Sequence, residues 1–246
     1  SSYTIITAQE IEAHQYHTVA EALRSVPGVT VVQGGGAGAI TKVFTRGFAS
    51  NQTLVLLNGH PISDQSSPDN AFNFAYATLD NVERIEIVRG PQSALYGSQA
   101  MGGVINIITK KGAGSIHSTL NVEAGTLGTL NTSATTSGSV GKTSYVLTFG
   151  RQATDGNDLT PARLRLGAPA EKDSNENTSI SGRVDTAFNE YLSASGFIQY
   201  SSANTDLDEG GTDNFYNPIY EDLANHSRTR QLSTSGSLDG RFADGM

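Results

Sequence analysis

The chain of 246 residues carries 24 acidic and 16 basic side chains, a formal net charge of −8. That balance argues against a general nucleic-acid binder, because neutralising phosphates needs Lys and Arg. It holds no Cys, which excludes a disulfide framework, a thiolate metal site and a thiol nucleophile within these residues. No run approaches the eighteen or so apolar residues of a membrane helix, but the alternating strands of a membrane barrel would not produce one. The acidity is uneven: residues 1–112 hold 7 basic and 8 acidic side chains, the remainder 9 and 16. The chain opens on SSYTIIT without a signal peptide, so it reads as a portion of a longer, processed protein.

Tyr3 to Ile6 reads as a strand, followed by Thr7 and Glu10 at capping-box spacing for a helix over residues 8–14. Thr18 and Glu21 repeat that spacing. Val19, Ala22, Leu23 and Val26 then fall on one apolar helical face that ends at Pro27-Gly28. Val29 to Val32 resumes as a strand. The glycine-rich run Gln33 to Gly38 does not open a helix, since Ile40 to Phe48 reads as a strand, so a phosphate-cradling loop is set aside in favour of a surface loop. Thr53 to Leu57 is apolar enough for a strand buried on both sides, and Asn58-Gly59 supplies a tight turn. Residues 63–78 are polar and then aromatic, with Phe72, Phe74 and Tyr76 at alternate positions suited to packing.

Val82 to Val88 mixes Ile85, Ile87 and Val88 with Glu83, Arg84 and Glu86, as a strand with one wet face does. Pro91 suits the start of a short helix over Ser93 to Tyr96, closed by Gly97. Gly102-Gly103 permits a tight backbone path into the apolar strand Val104 to Ile108. The string RIEIVRGPQSALYGSQAMGGVINIITKKG resembles the segment that closes the plug domain of TonB-dependent outer-membrane receptors. ALRSVPGVTV, VFTRGF and LVLLNGHPI resemble earlier segments of that domain in the same order. The spacing is most similar to that of the cobalamin transporter group.

The resemblance implies an α+β plug domain over 1–112, a mixed sheet with short helices. The first six or so antiparallel strands of a transmembrane β-barrel follow over 113–246, out of the roughly twenty-two such barrels need. It further implies energy-coupled uptake of a scarce, large ligand such as cobalamin, a ferric siderophore or haem, without covalent chemistry. The partners implied are the TonB energy-coupling protein, whose contact segment lies before the equivalent of Ser1, and outer-membrane lipid. Ligand contacts are expected in two substrate-facing loops, at Gly38, Ala39, Ile40 and Thr41 and at Ser66, Asp69, Asn70, Phe72 and Phe74. Arg46, Arg84 and Arg89 are expected to salt-bridge Glu83, Glu86 or acids on the inner barrel wall. A signalling or adhesion receptor without import is the alternative, for which an extra N-terminal signalling domain or a barrel without a movable plug would be needed.

From Ser115 onward, six segments alternate with period two. Leu120 and Val122 oppose Asn121 and Glu123; Leu147 and Phe149 oppose Thr148; Ile180 and Val184 oppose Ser181 and Arg183; Leu232 and Leu238 oppose Ser233 and Asp239. Small polar residues on one face and apolar ones on the other suit a barrel with lipid outside and a wet lumen. Short turns at Gly141-Lys142 and Asn189-Glu190 interleave with long links at about 151–177 and 203–227. Tyr145, Phe188, Tyr191 and Phe242 collect at the short-turn end as an interfacial girdle.

The five histidines show no metal-ligand spacing, and no G-x-S-x-G elbow or other enzymatic grouping stands out. The segment from Asp206 fails the EF-hand pattern at Gly210 and Asn217. Cobalamin transporters carry calcium-binding acidic loops on their outer side, and the corresponding loop here would offer Asp155, Asp158 and Asp173.

Overall fold

The computed structural model describes residues 2–157, 172–212 and 218–241, and the side chains of 207–225 are left aside. The first half forms a five-stranded mixed sheet, built from β1 (Ser2–Thr7), β4 (Thr53–Leu57), β5 (His60–Ile62), β6 (Val82–Arg89) and β7 (Gly103–Thr109) in the order β1-β6-β7-β4-β5. Only β4 and β7 run parallel. A separate ribbon pairs β2 (Val29–Gln33) with β3 (Thr41–Thr45), a shorter strand than the Ile40–Phe48 reading.

Both capping boxes form. Thr7 accepts from the Glu10 amide at the head of α1 (Ala8–Ala13), and Thr18 from the Glu21 amide at the head of α2 (Val19–Arg24). α2 places Val19, Ala22 and Leu23, all fully buried, over Ile85, Ile87 and Ile105 of the sheet. On β4 the alternation splits between two cores. Val55 and Leu57 enter this main cluster, whereas Leu54 and Leu56 join Ala100 and Val104 beneath the sheet. The strand is therefore apolar throughout because neither face meets water.

The Asn58-Gly59 turn has both residues at positive φ, 52° and 84°, the twist a two-residue hairpin needs. Beyond β6, Pro91 precedes the helical stub α3 (Ser93–Tyr96) by two positions and does not open it, since Gln92 is its N-cap. Gly103 has φ +154°, and a β-carbon there would crowd the Val88 carbonyl closer than 3.0 Å.

The second half is a six-stranded antiparallel meander: β8 (His117–Ala124), β9 (Leu130–Val140), β10 (Thr143–Thr154), β11 (Asn175–Ala187), β12 (Leu192–Thr212) and β13 (Pro218–Gly240), each paired with its sequence neighbours. Its register lines up Leu120, Ala134, Phe149, Ile180, Tyr200 and Leu232 as one row across the outer face. A row nearer the short turns holds Leu147 and Ile198, both more than half exposed. The outward apolar rows stop at Arg151 and Glu176, an ion pair at 3.1 Å on that same face. On the inner face Thr148, Ser179, Ser181, Arg183 and Ser201 are buried against the first half.

The expected link at 203–227 is mostly strand, because β12 continues to Thr212 and β13 begins at Pro218. Past the apolar rows Asp206, Asp208, Glu209, Glu221 and Asp222 interrupt the hairpin and Leu207, Ile219, Tyr220 and Leu223 keep no regular period of two, so the hydrophobic alternation vanishes while the ladder pairing continues. Of the expected girdle, Phe188 and Tyr191 are exposed at the short-turn end, and Phe242 lies outside the described residues. No helix among the described residues is long and apolar enough to cross a membrane, which leaves the strands untouched as spanning elements.

Candidate functional site

The two loops expected to face a ligand lie side by side and are tied together. Asn73 Oδ1 accepts from the Thr41 amide at 3.0 Å, and Lys42 Nζ pairs with Asp69 at 2.9 Å. The Ser67 hydroxyl and then Lys42, both donating to the Asp69 carboxylate, hold its pKa down at about 2. Ser66 donates to Asp64 from its amide and its hydroxyl, closing a local turn.

Within this face the expected contacts separate by exposure. Ile40, Ser66 and Asn70 are exposed; Gly38, Asp69 and Phe72 are half-buried; Ala39, Thr41 and Phe74 are buried. Phe74 belongs to the main core and meets Phe72 edge-on at 4.8 Å, so its ring serves packing. Ser66 and Phe72 border a cavity of about 520 Å³ between the loop and strands β12 and β13. Gly38, Thr41 and Phe74 border a polar cleft of about 320 Å³ reaching to Gln152 and Asn175. Gly38, at φ +81°, lies so close to Asn175 and Thr205 that a β-carbon would approach both closer than 3.0 Å.

The expected arginine network forms in part. Arg84 pairs with Glu83 at 2.6 Å and Glu86 at 2.8 Å, both on its own strand. Arg89 is buried but donates to neutral oxygens, the Ser2 and Thr4 hydroxyls and the Pro27 carbonyl. Arg46 forms no ion pair among the described residues. Among the described residues none of these bonds reaches the wall: Arg84 is held along β6, Arg89 turns to β1 and the Pro27 carbonyl, and Arg46, which follows β3, lies beside Gly28.

Other residues make the contact between the halves. Arg183 of β11 donates to Asn58 Oδ1 and Thr109 Oγ1, each at 3.1 Å, while Asp185 holds its other nitrogens at 2.7 and 2.9 Å. Asn81 donates to Ser181 at 3.1 Å, Asn177 to the Tyr76 carbonyl at 3.3 Å, and Gln152 to the His17 carbonyl at 3.2 Å. His17 Nε2 lies 3.3 Å from Glu123, the one approach of a His, Lys or Arg to a carboxylate across the seam among the described residues. Asp80 is pressed against the backbone of Gly150, and burial pushes its carboxyl above the usual range. Burial likewise pushes down Lys110, whose ammonium donates to the Asp80 carbonyl at 2.8 Å. The seam is thus mostly neutral hydrogen bonds, each worth about 1 kcal/mol net. Arg183 and Phe197 could have been found in the sequence, since both are large residues on an inner face made mostly of Ser, Thr, Asn, Gln and other small side chains.

Of the calcium candidates, Asp155 sits over the Gly128 turn with Lys172 at 3.7 Å, Asp173 is buried, and Asp158 lies outside the described residues. No cluster of three His, Cys, Asp or Glu able to hold a metal forms among the described residues.

A mixed sheet seated by neutral hydrogen bonds on the polar face of an antiparallel wall, whose other face is apolar, defines a plugged membrane β-barrel. The family model described as TonB-dependent Receptor Plug Domain matches residues 1–104. The chain belongs to the TonB-dependent receptors, of which it carries the plug and the first strands of the barrel.

The vitamin B12 transporter BtuB of Vibrio vulnificus is 33% identical over 242 residues, 96% of this chain and 37% of that protein. The iron-regulated outer membrane virulence protein of Vibrio cholerae is 42% identical over 116 residues, 45% of this chain and 17% of that protein. In fold, the ferric enterobactin receptor PfeA of Pseudomonas aeruginosa, solved as a mutant with enterobactin, superposes with a TM-score of 0.76 at 24% identity. That match covers 99% of this chain and 39% of PfeA. The chain therefore spans well under half the length of these relatives.

Proposed function

We propose that the chain is the plug and early barrel of an outer-membrane receptor that takes up a scarce, large ligand, with ligand binding coupled to rearrangement of the plug. The observation that carries this reading is the seam. A dry apolar interface would penalise movement of any part of the plug, whereas a wall face that offers polar groups, as at Ser181, Gln152 and Asn177, takes up water wherever part of the plug moves off it and still seats the remainder. Ligand occupancy at the loops around Ile40, Ser66 and Asn70 biases a two-state plug, and the TonB energy-coupling protein draws on it from the periplasmic side. Cobalamin, ferric siderophores and haem are the ligand classes proposed, from the names of the relatives and the family. Among the described residues, no grouping calls for covalent catalysis.

Calorimetric titration of the complete receptor in detergent, with cyanocobalamin and with ferric enterobactin, tests the reading. Submicromolar binding of one probe, weakened at least tenfold by Ile40→Ala with Asn70→Ala, is expected. Unchanged affinity in that double variant would remove the two loops from the site. Repeating the titration with a calcium chelator tests Asp155, Asp158 and Asp173, since loss of binding is expected if they hold a calcium ion.

A further inference from the structure

Two cavities lie along the inner face of β12 and β13, one above the other. The upper, about 520 Å³, reaches from the apical loop at Ser63 to Ser66 down to Ser235. The lower, about 580 Å³, runs from Asn58 to Lys142 in the short turn at the opposite end of the wall. They share three residues: His60 on the plug side, and Phe197 and Ser235 on the wall. Phe197 is 7% exposed and is the one wall residue in the plug's main core cluster among the described residues. It therefore stands where the two spaces meet, as an aromatic peg set from the wall into the plug.

The plug element facing that peg is its most lightly held strand. β5 is three residues long, sits at the sheet edge, and pairs only with Val55, Leu56 and Leu57 of β4. Pro61 in its middle lacks an N–H, as an edge strand tolerates. Its turn, by contrast, is firmly pinned: the Asn58 amide donates to the Ile107 carbonyl at 2.9 Å, Asn58 Oδ1 accepts from the Thr109 amide and hydroxyl at 3.0 Å and from Arg183 at 3.1 Å, and the Gly59 amide donates to Asn106 at 3.0 Å. Swinging His60–Ile62 about that fixed turn breaks its ladder to β4 and leaves β6, β7 and β1 paired.

We propose that the ligand's route through the receptor runs along β12 and β13, and that Phe197 with the His60–Ile62 arm of the β4–β5 hairpin is its gate. The inference rests on the uptake reading above. With the gate closed, Phe197 and His60 divide the path. When that arm swings off Phe197 the two cavities become one passage, lined on the wall by Ser195, Ser233, Ser235 and Ser237, whose small side chains leave width for a bulky ligand. The rest of the plug keeps its seat through Asn81, Asn177 and Gln152.

The test is a tether in the complete receptor in cells, with cyanocobalamin and ferric enterobactin as probes. A His60→Cys, Ser235→Cys variant bridged by a short cleavable bismaleimide is expected to bind its probe within twofold of the parent. Its uptake should fall at least tenfold and return on cleavage. An Asn81→Cys, Ser181→Cys bridge, which pins the plug elsewhere, is expected to leave uptake within twofold. Normal uptake through the first bridge overturns the route, and equal block by both bridges overturns a local gate in favour of whole-plug displacement. A parent receptor that binds a probe but imports none defeats the uptake reading itself. Independently of transport, Phe197→Ala in detergent is expected to speed amide exchange at His60 and Ile62 at least tenfold while Ile85 and Ile87 stay unchanged. No change at β5 would also overturn the proposal.

Discussion

The plug and the wall use the same β alternation in opposite senses. In the plug, Ile85, Ile87 and Ile105 face the main core, while the opposite face carries Arg84 and Glu86 on β6 and a second small core of Leu54, Leu56, Ala100 and Val104. In the wall, Leu147, Ile180, Ile198 and Leu232 point outward, and the inward positions are mostly Ser, Thr, Asn and Gln packed on the plug. One part has its core inside it; the other borrows lipid as its core and offers its polar face to the plug. The difference shows that a strand's hydrophobic face reports what it faces, and not where the centre of its own sheet lies.

That contrast can be broken from either side. The largest effect is expected from Ile85→Ala, a cavity in the fully buried plug core that should cost about 2–5 kcal/mol. Urea titration of the complete receptor, followed by amide exchange, should show the plug opening earlier with the wall unchanged. Next, Leu147→Lys on the lipid face should cost about 2–4 kcal/mol of folding into lipid vesicles, while Ser195→Lys on the wet face costs much less. Equal costs at the two positions would refute the assignment of faces.

A smaller effect is expected at the seam. Arg183→Ala removes the donor to Thr109 Oγ1 and one of three donors to Asn58 Oδ1, and leaves Asp185 without its ion pair, at a cost of about 1–3 kcal/mol. It should appear as faster exchange around Gly59 and Lys110. The smallest concerns Asp69, whose folded pKa of about 2 lies below its ordinary 3.8. A depressed carboxylate contributes stability that is fully present above 3.8 and is lost as pH falls through about 2. Limited proteolysis of the loop around Asp69 should therefore accelerate between pH 4 and pH 2, and Asp69→Asn should abolish that dependence without altering β6 or β7.

Legibility in the sequence followed the range of the interaction. Thr7 with Glu10 and Thr18 with Glu21 declared their helices because a capping box closes within four residues. Asn58-Gly59 declared its hairpin for the same reason. The arginines show the limit. Arg84 found Glu83 and Glu86 on its own strand, but Arg89 settled on Ser2, Thr4 and Pro27, and the cation that reaches across the seam is Arg183. Pairing of Asn81 with Ser181, 100 residues away, or of Gln152 with His17, 135 away, depends on how the plug sits against the wall, and no local pattern encodes that. The continuation of β12 and β13 past Ala203 was hidden because hydrophobic alternation marks a strand only while one face leaves water.

By itself the sequence determined the two-part order, the strand periods, the helix caps and the tight turns, all set by steric and hydrogen-bonding preferences acting over a few residues. The tertiary structure decided which loop residues stay exposed, which polar groups join plug to wall, and that Phe197 leaves the wall for the plug core. Those outcomes depend on distances between segments far apart in the chain, which exist only once the sheet has its register and the plug its seat.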